Sequence, residues 1–372
     1  MILIGIVRKV LKTLKVVTVT LVVILCVCFL IFYIISPGKL EPLTDKEGRV
    51  IPNSISVRGE TEIGSIPQVY FIRGEKPENP VMLFLHAGPG NPELPFIISR
   101  ETEERLEKYF TVCYWEQRGA GASYNKAIDP ATMSVERLVE DAHEMTLYLK
   151  KRFNQDKIYL IGHSWGTYLG IKTIEKYPED YLAYFGIGQM SDQRESELLA
   201  YDYMLKHAQE TGDKKSIMLL KKFDRNAPDF PGMDYEMVRA ELMEKHGVGT
   251  MRNNSSINTL VKDVLLFKGY TVSEKLNYPK ASWFSVNHLL PAILKDDLSG
   301  SSRSFQVPVY FLHGKYDYQV SYSLAQKYFE LIEAPQKEFF TFENSAHSPN
   351  MEEPEKFVQI IRDIDARLSS DK

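Results

Sequence analysis

Downstream of an apolar amino-terminal segment, hydrophobic and polar positions divide the chain into regions of different periodicity. Residues 50–189 and 306–372 contain short apolar runs that alternate with segments whose apolar positions recur at helical spacing. Residues 190–305 are mainly helical in pattern. Strands that alternate with helices indicate a mostly parallel sheet covered on both faces. We therefore expect an α/β core formed by the two outer ranges, with residues 190–305 inserted as a helical cap.

The predicted elements follow this division. In the outer ranges the pattern predicts strands over 54–58, 67–73, 81–85, 110–115, 157–161, 182–188, 308–314 and 338–342. It also predicts a helix over 134–153, with Ser134 as its N-cap, and one over 167–177 that Pro178 ends. In the insertion it predicts helices over 197–210, 214–223, 234–246 and 256–268.

The amino-terminal segment has the pattern of a membrane span. Residues 16–35 carry no charge, and a helix of that length, rising about 1.5 Å per residue, crosses a hydrocarbon core of about 30 Å. Residues 1–15 contain no acidic residue and four basic ones, Arg8, Lys9, Lys12 and Lys15. This bias predicts a cytoplasmic amino terminus. A cleaved signal peptide has the same polarity, but no small-x-small site follows Ile35. We expect a retained single-pass anchor in the lipid bilayer of the cell membrane, with residues 50–372 extracytoplasmic.

A serine between two glycines follows the predicted strand at 157–161. The segment Gly162-His163-Ser164-Trp165-Gly166 lies between that strand and the helix at 167–177, which is the setting of a nucleophile elbow. Because glycine has no Cβ, such a serine can occupy a tight strand-to-helix turn with its hydroxyl exposed. A serine in an ordinary strand-to-helix turn is the alternative. We predict that Ser164 is the nucleophile of a serine hydrolase.

An acid and a base follow two later predicted strands. In sites of this type the order along the chain is Ser, then Asp or Glu, then His. Asp317 comes after the strand at 308–314, and His347 lies in the loop after the strand at 338–342. We predict that His347 removes the Ser164 proton and that Asp317 orients the imidazole ring.

Other residues compete for these roles. Asp192 lies near the end of the predicted strand at 182–188 and is the second candidate for the acid. His163 directly precedes the serine and is expected to be packed inside the turn, and His313 lies within the strand end that introduces Asp317. His347 could also be a loop histidine without a catalytic role.

A glycine-rich loop after the predicted strand at 81–85 supplies backbone donors. Its sequence, His86-Ala87-Gly88-Pro89-Gly90, lets the main chain approach a ligand closely. We predict that the N–H groups of Gly88 and Trp165 form an oxyanion hole for the tetrahedral intermediate. A simple Gly-Pro turn is the alternative.

Four motifs together resemble the α/β-hydrolase superfamily and, within it, the proline iminopeptidase (prolyl aminopeptidase) branch of serine peptidases. They are His86–Gly90, the segment Glu-Gln-Arg-Gly-Ala-Gly-Ala-Ser at 116–123, Gly162–Gly166, and His-Gly-Lys-Tyr-Asp at 313–317. The resemblance implies an α/β-hydrolase fold with a helical cap. Ala87 stands where the family has glycine, and Glu116 where it has aspartate. If the loop required a positive φ at position 87, alanine would be strained there.

The resemblance also implies acidic cap residues that bind the free amino terminus of a peptide. Glu195, Glu197 and Asp202 lie at the start of the cap and are the candidates for this role. A solvated helix face is the alternative explanation of these carboxylates.

Three functions are compatible with these residues. The first, which we predict, is a membrane-anchored serine aminopeptidase of the proline iminopeptidase type that releases amino-terminal residues from short peptides. The second is an esterase or lipase-like hydrolase of small acyl substrates. The third is a non-catalytic binding module at the membrane surface, which the presence of a nucleophile, base and acid disfavours.

Composition limits the partners and cofactors. The 372 residues are 44% hydrophobic and 25% charged, as in a globular enzyme, and a formal net charge of −4 gives no reason to expect nucleic acid. The sequence contains no His/Cys cluster with zinc-ligand spacing, and its glycine loops lack the Lys-Ser/Thr of a phosphate-binding loop. We expect no metal, no organic cofactor, and a small-molecule or short-peptide substrate.

Overall fold

A central sheet organises the protein. The computed structural model describes residues 2–228, 230–253 and 257–370. Within these residues one sheet contains eight strands: β1 (Ile55–Ile63), β2 (Ile66–Gly74), β3 (Val81–Leu85), β4 (Thr111–Trp115), β5 (Ile158–His163), β6 (Tyr181–Ile187), β7 (Val309–Gly314) and β8 (Lys337–Phe342).

The sheet is parallel except at one edge. Its strand order is β1-β2-β4-β3-β5-β6-β7-β8, and β1 and β2 pair antiparallel with each other, as do β2 and β4. Every pairing from β4 to β8 is parallel. Parallel strands in one sheet have their carboxyl ends on the same edge, so the loops that follow β3, β5, β6, β7 and β8 converge there.

Helices cover both faces of the sheet. In chain order the helices are α1 (Ile2–Ile34), α2 (Leu94–Ser99), α3 (Val135–Phe153), α4 (Trp165–Lys176), α5 (Gln193–Glu210), α6 (Lys214–Leu220), α7 (Met233–His246), α8 (Ile257–Leu266), α9 (Val272–Ile293), α10 (Leu298–Ser301), α11 (Tyr322–Leu331), α12 (Pro349–Glu352) and α13 (Pro354–Ser370). Four short 3₁₀ turns cover 106–108, 121–123, 130–132 and 178–180.

Alternate side chains of each central strand enter two separate hydrophobic cores. In β3, Leu83 belongs to the core that includes residues of α3, α4 and α11, whereas Phe84 belongs to the core that includes residues of α2 and α13. This is the expected result of a two-residue side-chain period in strands buried on both faces. The apolar runs of the sequence were thus correctly interpreted as central strands.

The segment between β6 and β7 is helical, as predicted, and α5, α6 and α7 share a small core of their own around Tyr201 and Tyr235. Helix α5 begins at Gln193 rather than at 197, because the Asp192 side chain accepts the N–H of Glu195 at 2.9 Å and caps the helix. The helix predicted over 214–223 ends earlier, at Leu220.

Helix α9 was missed by the sequence pattern. It contains Pro279 and Pro291, and proline is normally expected to end or kink a helix because it lacks the N–H donor. A capping box starts the helix: the Thr271 hydroxyl accepts the Glu274 N–H, and the Glu274 carboxylate accepts the Thr271 N–H.

Helix α1 begins at Ile2, before the predicted start at residue 16, because the basic residues that precede the apolar run are good helix formers. Its segment Leu11–Ile34 has a mean hydropathy of 3.0, and none of it is buried. It is the one helix of the described residues whose length and composition allow a membrane crossing, a test that an amino-terminal signal sequence also passes.

Candidate active site

Ser164 occupies a sharp turn between β5 and α4. Its backbone has φ 55° and ψ −119°, a conformation that residues other than glycine rarely adopt. A Cβ at Gly162 would lie 2.3 Å from the carbonyl oxygen of Gly166, and one at Gly166 would lie 2.0 Å from that of Leu85. The turn therefore requires both glycines of the motif, for the reason that the sequence suggested.

His347 and Asp317 are in direct contact. The Nδ1 atom of His347 lies 2.7 Å from Oδ2 of Asp317. The other oxygen of Asp317 accepts the Val320 N–H at 2.9 Å, and Nε2 of His313 lies 3.0 Å from Oδ2. His313 thus contacts the acid and not the hydroxyl of Ser164, whereas the Asp192 carboxylate caps α5.

Ser164 and His347 face one cavity. Both line it, together with Gly88. The Nε2 atom of His347 is buried and accepts no hydrogen bond from any described residue, Ser164 included. Because Nδ1 faces the carboxylate, a neutral imidazole carries its proton there and keeps the Nε2 lone pair free to accept one.

Electrostatics favour this protonation state. Burial lowers the pKa of His347 below its ordinary value, although the Asp317 carboxylate opposes the effect. Burial raises the pKa of Asp317, but the charge of His347 and the hydrogen bonds from His313 and His347 outweigh it and hold this pKa well below its usual range. A neutral imidazole beside an ionised carboxylate can act as a general base.

A second buried pair, missed at the sequence level, links the loops of the site. Nδ1 of His163 contacts Oε1 of Glu93, and its Nε2 donates to the backbone oxygen of His347 at 2.9 Å. The other oxygen of Glu93 accepts the Ala87 N–H at 2.9 Å. Burial lowers the pKa of His163, but the Glu93 carboxylate outweighs this and raises it overall. His163 is packed in the turn as expected, yet it also positions the His347 loop.

Gly88 of the glycine-rich loop lines the same cavity as Ser164, and the role of the Gly88 and Trp165 N–H groups as an oxyanion hole stays a prediction. Gly88 has a φ of +124°, and a Cβ there would lie 2.5 Å from the N atom of Gly90. Trp165 is the first residue of α4, so its N–H has no partner within the helix. Ala87 is not among the described residues with positive φ, and the strain considered for it does not occur.

Glu116, the second departure from the family pattern, is part of the fold around the site. Its carboxylate accepts the Tyr270 hydroxyl and the Ala122 N–H. Burial raises the pKa of Glu116 to about 8, against the opposing effect of these hydrogen bonds. The residue ties the loop after β4 to the segment before α9.

The cavity has an apolar wall and a polar end. Its volume is about 590 Å³, in the range of sites for small ligands. Helices α8 and α9 contribute the apolar wall, which includes Leu260, Val264, Leu276, Pro279 and Leu290. The polar end is formed by Gln193, Glu197, Glu236 and Arg239.

Of the predicted substrate carboxylates, one reaches the cavity. Glu197 lines it, but its Oε2 lies 2.5 Å from Nε of Arg239 in a buried ion pair, and its Oε1 accepts from Gln193 at 2.7 Å. Burial raises the pKa of Glu197, and Arg239 offsets part of the shift. The prediction for Glu195 was wrong in position, because its side chain lies on the solvent face of α5 outside the cavity lining. Asp202 is also exposed and pairs with Arg225 at 2.9 Å.

Glu236 was not predicted. It lines the cavity, its side chain is 23% exposed, and one oxygen lies 3.5 Å from Nη1 of Arg239. No local motif marks it, since it lies on a cap helix whose orientation only the folded chain defines.

Comparison with known proteins agrees with this architecture. A family described as "alpha/beta hydrolase fold" matches residues 80–354. The probable aminopeptidase YbaC of Bacillus subtilis is 33% identical over 311 residues, which cover 83% of this chain and 96% of that protein. A proline iminopeptidase of Saccharolobus solfataricus is 24% identical over 314 residues, covering 84% and 93%.

Solved structures show the same fold. The crystal structure of a proline iminopeptidase from Mycobacterium smegmatis superposes with a TM-score of 0.58 at 15% identity, covering 84% of this chain and 98% of that one. The expected resemblance and fold class are confirmed, and the chain belongs to the α/β-hydrolase family of enzymes.

Proposed function

We propose that the protein is a membrane-anchored serine hydrolase that acts by acyl transfer through Ser164, His347 and Asp317. The observation that carries the proposal is the 2.7 Å contact between His347 and Asp317, in a cavity that Ser164 also lines. An aminopeptidase that releases amino-terminal residues from short peptides is the activity that the relatives favour, since two that match more than 80% of this chain are named probable aminopeptidase and proline iminopeptidase.

The reaction proceeds in two stages. Nε2 of His347 takes the proton of the Ser164 hydroxyl as Oγ attacks the substrate carbonyl. The N–H groups of Gly88 and Trp165 stabilise the oxyanion, and the imidazolium then protonates the departing amine. Water attacks the acyl-enzyme in the second stage, with the same histidine as base. Asp317 keeps the imidazole in the required tautomer throughout.

The polar end of the cavity supports recognition of a free amine. Two carboxylates, those of Glu197 and Glu236, lie beside a single guanidinium, that of Arg239. One negative charge is therefore not balanced within the group, and a substrate ammonium fits beside the more accessible Glu236. Glu197 contributes less than expected from the sequence, because Arg239 already pairs with it.

Helix α1 anchors the enzyme in the cell membrane. The segment before the span contains basic residues and no acidic ones. This favours a cytoplasmic amino terminus and an extracytoplasmic catalytic domain. Protease protection of each end in intact cells tests this orientation. Digestion of the catalytic domain only after the membrane is opened would contradict it.

The test of the activity compares three substrates with the full-length protein in detergent: a prolyl anilide with a free amine, its acetyl-blocked form, and a short-chain ester. We expect cleavage of the free-amine anilide and not of its acetyl-blocked form, and Ser164→Ala should lower kcat at least about 10⁴-fold. Cleavage of the ester alone would replace the aminopeptidase with an esterase. Unchanged turnover in Ser164→Ala would exclude Ser164 as the nucleophile.

An esterase is the second candidate, because one observation favours it. The wall that α8 and α9 contribute is apolar, and an acyl chain fits such a wall without leaving buried polar groups unpaired.

A further inference from the structure

Exposed apolar side chains are concentrated on α8 and α9. Outside α1, ten large hydrophobic side chains of the described residues are exposed, and half of them lie on these two helices. They are Val261, Leu265, Leu266, Leu276 and Trp283. We call them the α8–α9 patch. Three of them, Val261, Leu265 and Leu276, line one cavity. Scattered single residues need no explanation, but exposed apolar side chains that lie together mark a contact surface.

The patch lies beside the end of the candidate membrane span. The Lys275 ammonium donates to the backbone oxygen of Ile35 and to the Ser36 hydroxyl, both at 2.9 Å, and to the oxygen of Leu265 at 2.8 Å. Pro37 forms a β-bridge with Thr271. The residues that leave α1 are therefore bonded to the turn between α8 and α9, and a bilayer crossed by α1 must pass close to that turn.

The charges around the patch suit a membrane surface. The acidic residues of α8 and α9 are both paired with arginines, since Asp263 pairs with Arg100 at 2.7 Å and Glu274 pairs with Arg58 at 2.5 Å. Lys262 and Lys280 are exposed and form no ion pair with any described residue. Apolar side chains bordered by free lysines are typical of helices that lie in the headgroup region of anionic lipids.

The patch is continuous with the cavity. Val261, Leu265 and Leu276 are exposed to solvent and also line the space that Ser164 faces. A molecule resting against these side chains therefore meets the same apolar wall that leads to Ser164.

We propose that the α8–α9 patch rests in the headgroup region of the bilayer that α1 enters, and that the cavity takes from there an amphiphile whose hydrocarbon chain ends in an ester or amide carbonyl. The proposal rests on the anchor and the nucleophile of the proposed function. In the reaction the bond from Oγ of Ser164 to the carbonyl carbon forms as the C–O or C–N bond breaks. The leaving group departs with a proton, and water then releases the carboxylic acid.

The first experiment measures docking without reference to activity. The chain has three tryptophans, and Trp115 and Trp165 are buried, so a lipid quencher reports on Trp283. Full-length protein is reconstituted in vesicles of phosphatidylcholine and phosphatidylglycerol, with and without lipids brominated near the headgroup. We expect the brominated lipids to quench the tryptophan fluorescence of the wild type and of Ser164→Ala. The Trp283→Phe variant should show no such quenching. Absence of quenching in the wild type would overturn the proposal.

The second experiment measures the route of the substrate. The double variant Leu266→Gln, Trp283→Gln weakens the patch outside the cavity lining, and Leu147→Gln, Leu331→Gln is the matched control on exposed residues of α3 and α11. Long-chain ester and amide substrates are supplied in the vesicles, and short-chain counterparts in solution. We expect the patch variant to lose about tenfold in rate on the vesicle substrates only. Cleavage of the long-chain ester or of the long-chain amide shows which of the two bonds the enzyme hydrolyses.

Each result has one interpretation. Equal rates of the patch variant and the control on vesicle substrates would overturn entry from the bilayer. Quenching of Trp283 in a protein that cleaves none of the substrates would uphold docking while the proposed hydrolase function fails.

Discussion

The two ends of the cavity are held in place by different means. Around Ser164 the backbone itself sets the positions, because a Cβ at Gly166 or Gly314 would lie 2.0 or 1.8 Å from a neighbouring carbonyl oxygen. At the cap end, side chains of α5 and α7 form the wall, and Glu236 among them remains partly exposed. A region limited by backbone contacts tolerates almost no change, whereas a wall of side chains changes with each substitution. The proposed chemistry and the choice of substrate thus depend on separate parts of the fold.

The largest effect is expected at the buried end, from Asp317→Asn. An amide at this position offers a donor to Nδ1 of His347, so the imidazole adopts the tautomer whose Nε2 cannot accept the Ser164 proton. We expect kcat to fall by about 10⁴-fold with the fold retained, measured by steady-state kinetics and circular dichroism. A loss of less than tenfold would show that Asp317 has no part in the reaction.

Gly166→Ala tests whether the backbone is as tightly limited as the contacts indicate. The added methyl group would overlap the Leu85 carbonyl, and we expect a loss of about 3 kcal/mol in the free energy of unfolding. The matched control is Gly300→Ala, whose Cβ would lie 3.6 Å from its nearest neighbour and should change stability by about 0.5 kcal/mol or less. Thermal unfolding of both variants in detergent is the measurement. Equal midpoints would refute the contrast between the two ends.

Glu236→Gln probes the cap end. Removing the charge should raise KM for the free-amine substrate about tenfold, because a charge-assisted hydrogen bond is lost, and should leave kcat and the ester substrate unaffected. Glu195→Gln is the control, since that side chain is exposed outside the cavity lining. If both variants raise KM equally, a general effect of surface charge explains the change instead.

The smallest change in activity at neutral pH is expected from the protonation of His347. Its imidazole must be neutral to accept a proton, and burial holds its pKa below the ordinary value of 6.5. We therefore expect kcat/KM to rise with pH along a limb centred below pH 6.5 and to be level by pH 7, as measured across pH 4 to 8 with the soluble substrate. A limb centred above pH 7 would contradict the described environment of the histidine.

Several candidate site residues could be proposed from the sequence because their signals are local. Ser164 follows directly on β5, and Asp317 and His347 lie in the loops after β7 and β8. Parallel strands deliver their following loops to one edge of the sheet. The pair of Glu93 and His163 was not predictable, because Glu93 lies in the segment after β3 and His163 ends β5, so the two meet only after β3 and β5 have paired. The same holds for Glu236, whose position depends on how the cap packs.

The sequence by itself determined the alternation of strands and helices, the glycine-flanked turn at Ser164 and the apolar segment at the amino terminus. Each of these follows from periodicity or steric limits within a few residues. Only the tertiary structure decided that Glu197 is paired with Arg239, that Glu195 faces solvent, and that α9 forms through Pro279. It alone brought the turn between α8 and α9 to the end of α1. Burial and charge pairing depend on contacts between distant segments, and those contacts exist only when the whole chain has folded.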